Sequence, residues 1–311
     1  MLKDYLRLHF IVFLWGFTAI LGKLISLPPV ELVFYRTLIA SVGLAGLLKM
    51  RNMPWRVPTG QAVRLIGVGA LVAAHWITFF LAARLSSVSV CLAGMATLAL
   101  WTSILEPLLL RKRFQPYEIL LGLLAMVGLY LVSQAEFDQL LGLGVAILSA
   151  GLSALFSVLN ARLIKDHPPL RLTLYEMGGA CVSIMVFLIA RPAFGGALPS
   201  LNPTPADWLW LVLLAGVCTV YAFSTSVELM KRLSAFAVNL TINLEPVYGI
   251  VLAVLMYWLG APGFGQEKLS GGFYLGTFVI LLSVLIHPLL NQWQLRRRRP
   301  TADEAVSLVE R

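Results

Sequence analysis

The sequence predicts an all-α membrane protein of ten transmembrane helices, arranged as two inverted five-helix repeats. Three observations lead there. The first is composition: 311 residues, 59% hydrophobic and 13% charged, with mean hydropathy +0.84. A soluble domain carries about 25% charged residues, and a chain with roughly half that share cannot cover a water-facing surface. A soluble enzyme and a disordered chain are excluded. The second is a series of apolar runs long enough to span a bilayer, and the third is an internal repeat.

Marked off by Pro, Gly and charge clusters, the runs are Leu8–Ile25, Glu31–Lys49, Arg64–Ala83, Val88–Leu110, Pro116–Ser133, Leu141–Leu163, Leu172–Ala190, Trp208–Leu229, Ser234–Leu259 and Gly271–Leu290. The longest have residues to spare and tilt or kink. The alternating segments of about ten residues that mark a membrane barrel do not occur. Lys3 and Arg7 ahead of the first run resemble the start of a signal peptide, but no small-residue cleavage site follows, so the run reads as a retained first helix. Cys91, Cys181 and Cys218 all lie inside apolar runs without metal-ligand spacing and read as small buried hydrophobes.

The formal charge is +9, but its distribution speaks against nucleic acid. With the N-terminus cytoplasmic, nineteen Lys and Arg fall on that side, including Lys49, Arg51, Arg111, Lys112, Arg113, Lys231, Arg232 and Arg296–Arg299. Three (Arg84, Arg191 and Lys268) fall outside, and Lys23 and Arg36 lie within spans. This positive-inside asymmetry predicts that both termini are cytoplasmic, and a bacterial-type inner membrane is the expected location. The basic loops then meet anionic lipid heads of the bilayer. The charged segment 291–311 is expected to be a disordered tail.

The repeat appears as LPPVELVFYR (Leu27–Arg36) against HPPLRLTLYE (His167–Glu176), an offset of 140, and as LSSVSVCL (Leu85–Leu92) against LSAFAVNL (Leu233–Leu240), an offset of 148. Two matches in order define halves at 1–134 and 141–290. Because five is odd, the second half enters from the opposite side. Such inverted repeats suit alternating access in secondary transporters.

Ten helices in two inverted halves, with FYR (Phe34–Arg36) early in helix two and LEPV (Leu244–Val247) in helix nine, resemble the EamA-type branch of the drug/metabolite transporter superfamily. The resemblance covers nearly the whole chain. It implies a central cavity lined mainly by helices one, three, four, six, eight and nine, and export of small metabolites, often amino acids. One departure stands out: Glu245-Pro246 of helix nine aligns with Thr97-Leu98 in helix four.

Ionisable groups at membrane depth are functional candidates. At about 1.5 Å per residue, Glu245 and His75 fall near the midplane, each a candidate for substrate binding or proton coupling, with a hydrogen-bonded packing role as the alternative. Asn239 and Asn243, four apart, share a face; Glu245 lies about 200° round from Asn243, so only a kink at Pro246 would show all three to one cavity. Arg36 and Glu176 are repeat equivalents read as gating or structural residues, with Glu31 or the helix ends near the outer side expected to hold Arg36. Lys23 either snorkels outward or attracts an anionic group. Glu106, Glu118 and Glu228 read as solvated ion-pair partners. Trp15, Trp76, Trp101, Tyr221 and Tyr248, with the amide of Asn160, complete the candidate binding set, while Trp208 and Trp293 suit interfacial belts. Gly272 and Gly276 form a GxxxG motif for dimer contacts or internal packing, so a monomer or homodimer is expected.

No P-loop, HExxH, nucleophile elbow or potassium filter occurs, and no cofactor is called for. The expectation is a secondary active or facilitative transporter exporting a small metabolite, most plausibly an amino acid or similar amphipath, with protons as candidate coupling ion. The alternative is a flippase for a lipid or lipid carrier.

Overall fold

The computed structural model describes residues 2–86, 88–133, 139–259 and 271–297. The expectations for the side chains of Lys23 and Trp293, for Lys268 and for the chain beyond Arg297 lie outside the described residues. The first half comprises α1 (Leu2–Leu24), α2 (Pro29–Met50), α3 (Thr59–Leu85), α4 (Val88–Met95), α5 (Leu98–Leu110) and α6 (Pro116–Ser133). The second comprises α7 (Leu140–Leu163), α8 (Pro169–Ala190), α9 (Pro205–Ala215), α10 (Ala222–Leu229), α11 (Ala235–Ile242), α12 (Glu245–Trp258) and α13 (Gly271–Arg297). Among the described residues nine helical stretches are long and apolar enough to cross a membrane, and the shorter apolar helix Pro116–Val132 makes a tenth. The tail expected from Asn291 is helical through Arg297.

Two short helices make up each of spans four (α4 and α5) and nine (α11 and α12). Span eight runs from α9 to α10 through a π-helical segment, Gly216–Tyr221. The breaks in spans four and nine occupy equivalent places, since α12 starts at Glu245 and α5 at Leu98, within one residue of the 148-residue offset. In span nine Pro246 sits in the first turn of α12, where its missing N–H costs nothing but prevents continuation from α11. The repeated proline pairs also act alike. Pro28 and Pro168 are extended, at φ −58° each, and Pro29 and Pro169 open helices of 22 residues in both halves.

The helix pairings obey the repeat. Span three packs on spans six and seven, as span eight packs on spans one and two; spans four and six pair as nine and one do. Spans two and seven, five and ten, and four and nine pair with their own equivalents, which places them about the pseudo-two-fold axis. Five spans per half make that axis lie in the membrane plane. Glycines permit the closest crossings. A Cβ on Gly179 would stand 2.6 Å from the Ile66 carbonyl oxygen, and one on Gly69 would strike that of Glu176. Gly276 lies against the Gly128 carbonyl, so this part of the GxxxG motif serves packing between spans five and ten.

The face where α1 begins is called the near face, and the opposite one the far face. Asp207 dominates the far face. Its carboxylate accepts from Ser26 N and Ser26 Oγ, both at 2.7 Å, and closes a capping box with Thr204. Glu31, 1% exposed, pairs with Arg191 at 3.3 Å, not with Arg36 as expected. Arg84 donates to the Leu27 carbonyl and Tyr35 to that of Leu201. At the near face, Arg232 pairs with Asp4 at 2.7 Å and Arg7 with Glu228 at 3.4 Å, through side chains that are largely exposed on the arginine side. Glu106 departs from the solvated pairing expected of it. It is buried, bonded to Lys112 at 2.6 Å and to the amide of Phe236, so it caps α11.

Candidate functional site

A cavity of about 80 Å³ lies where seven spans converge, and it draws on both broken helices and the π segment's neighbours. Trp15 comes from α1, Arg36 from α2, His75 and Trp76 from α3, Met95 and Leu98 from the two sides of the first break, Ser157 and Asn160 from α7, Phe223 and Met230 from span eight, and Asn239 and Glu245 from the two sides of the second. Counting along the helices spreads the lining from the far part of the membrane, at Thr18, Phe79 and Met95, to the near end, at Asn160, Met230 and Val238. Arg36 reaches in from about two turns below the far end of α2. Discontinuous helices in matching positions of inverted repeats are where transporters bind their cargo, because they expose backbone polar groups and helix ends at membrane depth.

The break in span nine resolves the facing of its polar residues. Asn239 and Glu245 line the cavity and Asn243 does not; it is buried in the break with its Nδ2 unpartnered. Glu245 is half-buried, and among the described residues its carboxylate has no hydrogen bond and no ion pair within 4.0 Å. Asn239 ties three elements together. Its Nδ2 donates to Thr102 Oγ1 at 2.8 Å, and its Oδ1 accepts from Ser157 Oγ at 3.2 Å. Asn160, fully buried, lines the cavity with its amide beside the Glu176 carboxyl.

His75 Nδ1 lies 3.0 Å from the Ser149 carbonyl and 2.9 Å from Ser149 Oγ, whose own proton goes to the His75 carbonyl. Both oxygens accept, so the hydrogen-bond network assigns the proton to Nδ1 and fixes the ring between α3 and α7. Trp15 donates Nε1–H to the Cys218 carbonyl at 2.9 Å, and Arg36 donates Nε–H to Thr219 Oγ1 at 2.8 Å. Both acceptors belong to the π segment, whose wider turn frees backbone groups. Above this, the Arg36 guanidinium stacks on Trp76, 3.7 Å from the ring centroid. A charge at the bilayer centre costs about 2.5–3.5 kcal/mol on insertion scales. A desolvated cation–π contact returns about 2 kcal/mol, so Arg36 is tolerated here without a carboxylate partner.

The other expected residues lie elsewhere. Trp101 is 39% exposed and packs near Gly151 of α7, away from the cavity. Tyr248 bonds His9 across α1 at 3.2 Å. Tyr221, 45% exposed, lines a separate near-face cleft with Arg7, Glu228 and Arg232. Glu176 is fully buried with both carboxylate oxygens unpartnered, outside the cavity lining. Pro246 is buried at the start of α12. Beyond the helices the resemblance implied, span two joins the lining through Arg36 alone. Ser157 and Thr219 were not singled out from sequence: hydroxyls on apolar helices are common, and only the tertiary contacts distinguish these two. Among the described residues no group of three His, Cys, Asp or Glu could hold a metal ion.

Comparison with known proteins agrees with this geometry. A solved structure titled only as the crystal structure of a protein superposes with a TM-score of 0.71 at 19% identity, covering 93% of this chain and 98% of that one, a likeness of fold. An uncharacterized transporter of Archaeoglobus fulgidus is 23% identical over 192 residues, 60% of this chain and 68% of that protein. The sequence model of the EamA-like transporter family matches residues 5–134 and again 140–287. The chain is therefore a multi-pass membrane transporter that belongs to the EamA-like transporter family.

Proposed function

We propose that the protein exports a small amphipathic metabolite, an amino acid or close relative, from the cytoplasm by alternating access through the cavity at Trp15, His75, Asn239 and Glu245. The observation that carries this reading is the convergence of both broken helices on one cavity lined by aromatic rings and a few polar groups, the composition that suits a molecule with an apolar body and a polar head. The basic loops support a cytoplasmic near face. The lining reaches toward that face at Asn160, Met230 and Val238, while the Asp207–Ser26 and Glu31–Arg191 pairs tie the far face. This is the arrangement expected of a conformation that loads from inside. Inverted repeats supply the other conformation, because exchanging the shapes of the two halves opens the opposite face.

Glu245 is the candidate coupling group. Its free carboxylate takes either a proton or a substrate cation, so proton entry and substrate exit alternate at one site. A flippase would have to move a charged headgroup and acyl chains together, and a cavity of about 80 Å³ favours a single small solute.

The test is counterflow and net transport in proteoliposomes, with the twenty common L-amino acids as a panel, with and without a pH gradient. Saturable transport of one or more is expected, accelerated by a gradient directed against substrate movement. Transport of none of them, with fluorescent lipid analogues translocated instead, would establish the flippase.

A further inference from the structure

We infer that Arg36 is the receptor for the substrate's carboxylate, and that the transported metabolite is a zwitterion held between Arg36 and Glu245. The inference rests on the cavity being the transport site, and it goes further by specifying the ligand's headgroup and its orientation.

The argument begins with a cation that the protein leaves without a counterion. Every other basic side chain found in an ion pair among the described residues sits near a membrane face: Arg7 with Glu228, Lys112 with Glu106, Arg191 with Glu31, Arg232 with Asp4. Arg36 is 3% exposed, lies at depth, and has no carboxylate within ion-pair distance among the described residues. What it does have is a mount. Nε is committed to Thr219 at 2.8 Å and one face of the guanidinium lies on the Trp76 ring. These two contacts hold the guanidinium in place, and among the described residues Nη1 and Nη2 have no hydrogen-bond acceptor. Two parallel N–H donors in a fixed plane match the two oxygens of a carboxylate, and the match is specific to a planar anion. Thr219 belongs to the π segment of span eight and Trp76 to α3, so the mount is built into the fold.

The remaining lining completes the ligand. Glu245 is the one acid among the described lining residues, and it makes no ion pair with Arg36. A carboxylate and a guanidinium facing one small cavity without touching are bridged by a molecule that carries both charges. A simple amine would leave Arg36 uncompensated, and a simple acid would leave Glu245 so. Phe156, Phe223 and Met230 line the near-face side, which directs an apolar side chain toward that face.

The experiment takes the best-transported amino acid from counterflow on the wild-type protein and compares it, as competitor, with its decarboxylated amine and its carboxamide. Both analogues keep the side chain and the ammonium. The amino acid is expected to compete at least about tenfold better than either. Arg36→Gln should erase that preference, and Arg36→Lys should restore part of it, the charge being kept and the fork lost. Equal competition by the amine or the carboxamide on the wild type overturns the inference and leaves the transporter reading intact; so does undiminished discrimination in Arg36→Gln. The comparison on the wild type needs no variant to fold. If the wild type transports no amino acid, the substrate reading above fails, a result distinct from loss of discrimination among ligands that do compete.

Discussion

The carboxylate of Asp207 holds Ser26 by both its backbone N–H and its hydroxyl, at 2.7 Å each. Ser26 follows the far end of α1, and Asp207 lies in the first turn of α9, so this pair joins spans one and eight where a far-face opening would have to part them. Asp207 is 1% exposed, and its other partners, Thr204 N and Thr204 Oγ1, lie within its own capping box. Ser26 therefore supplies the separable part of the latch.

Ser26→Ala removes the hydroxyl bond and keeps both the cap and the backbone bond. A hydrogen bond to a charged group contributes about 1.5–3 kcal/mol, so the far-open conformation should gain roughly tenfold or more in population relative to the closed one. A cysteine introduced at Ser200, in the far-face segment beside Glu31, reports topology in the same experiment. It should react with an impermeant maleimide added outside oriented vesicles. Reaction from the cytoplasmic side alone would reverse the assigned orientation. A cavity cysteine at Ser157 should react from outside faster in Ser26→Ala than in the parent; an unchanged rate would show that the latch does not limit opening.

How much of this was legible in the sequence follows from how local each signal is. The spans were readable because twenty apolar residues are a local pattern, and α2 and α8 were readable because a proline pair sets its own backbone. The break in span nine was signalled by Pro246, but the matching break at Ala96-Thr97 has no proline and was missed. The π segment has no sequence mark beyond Gly216. Facing was the least legible property. The sequence offers Glu31 or the outer helix ends as partners of Arg36, yet Glu31 turns to Arg191 on a different helix and Arg36 turns inward to Trp76. Which acid a buried arginine meets is decided by tertiary packing, and spacing along one helix does not encode it. The 200° between Asn243 and Glu245 did carry information, since it excluded both from facing one cavity on a straight helix, and only Glu245 does.

Gly276 tests the reading of the GxxxG motif. A Cβ there would collide with the Gly128 carbonyl and stand 2.8 Å from the Val132 amide nitrogen. Gly276→Ala must force spans five and ten apart, at about 1–3 kcal/mol for an overpacked contact. Melting in detergent should fall by several degrees with the oligomeric state unchanged on size exclusion. Gly144→Ala is the control. Nothing stands within 4 Å of its Cβ, and alanine adds about 0.5–1 kcal/mol of helix preference, so melting should hold or rise. Loss of a dimer in Gly276→Ala without loss of melting temperature would assign the glycine to an intermolecular contact.

His167 lies between spans six and seven at the near face, 5% exposed, with Nδ1 unpartnered. Burial, and after it the neighbouring charge of Arg171, push its pKa below the usual histidine value, with Asp166 opposing them. An unfolded chain protonates this histidine near pH 6.5, while the folded protein resists. Between the unfolded and folded values the unfolded state therefore binds more protons, and stability falls as pH drops through that window. The repeat offers a substitution that removes the effect, because Leu27 occupies the equivalent place and is buried. His167→Leu should melt close to the wild type at pH 7.5 and above it at pH 5.5. Parallel loss of stability in both proteins on acidification would move the cause to other groups.

Glu245→Gln separates the roles open to the carboxylate. The substitution keeps shape and hydrogen-bonding capacity but removes the negative charge and the exchangeable proton. If proton and substrate cation alternate at Glu245, a pH gradient can no longer drive net accumulation in the variant. Exchange of labelled for unlabelled substrate needs no net proton movement, and should continue at a raised KM because the ammonium has lost its counter-charge. His75→Ala is the companion. It removes the ring's contacts with the Ser149 carbonyl and hydroxyl, which help join α3 to α7, and should lower melting and transport together without abolishing the response to the gradient. The measurements are gradient-driven uptake, counterflow and melting on the same preparations. Retained gradient-driven accumulation in a well-folded Glu245→Gln protein would remove Glu245 from coupling. Unchanged KM in the same protein would remove it from the substrate site as well.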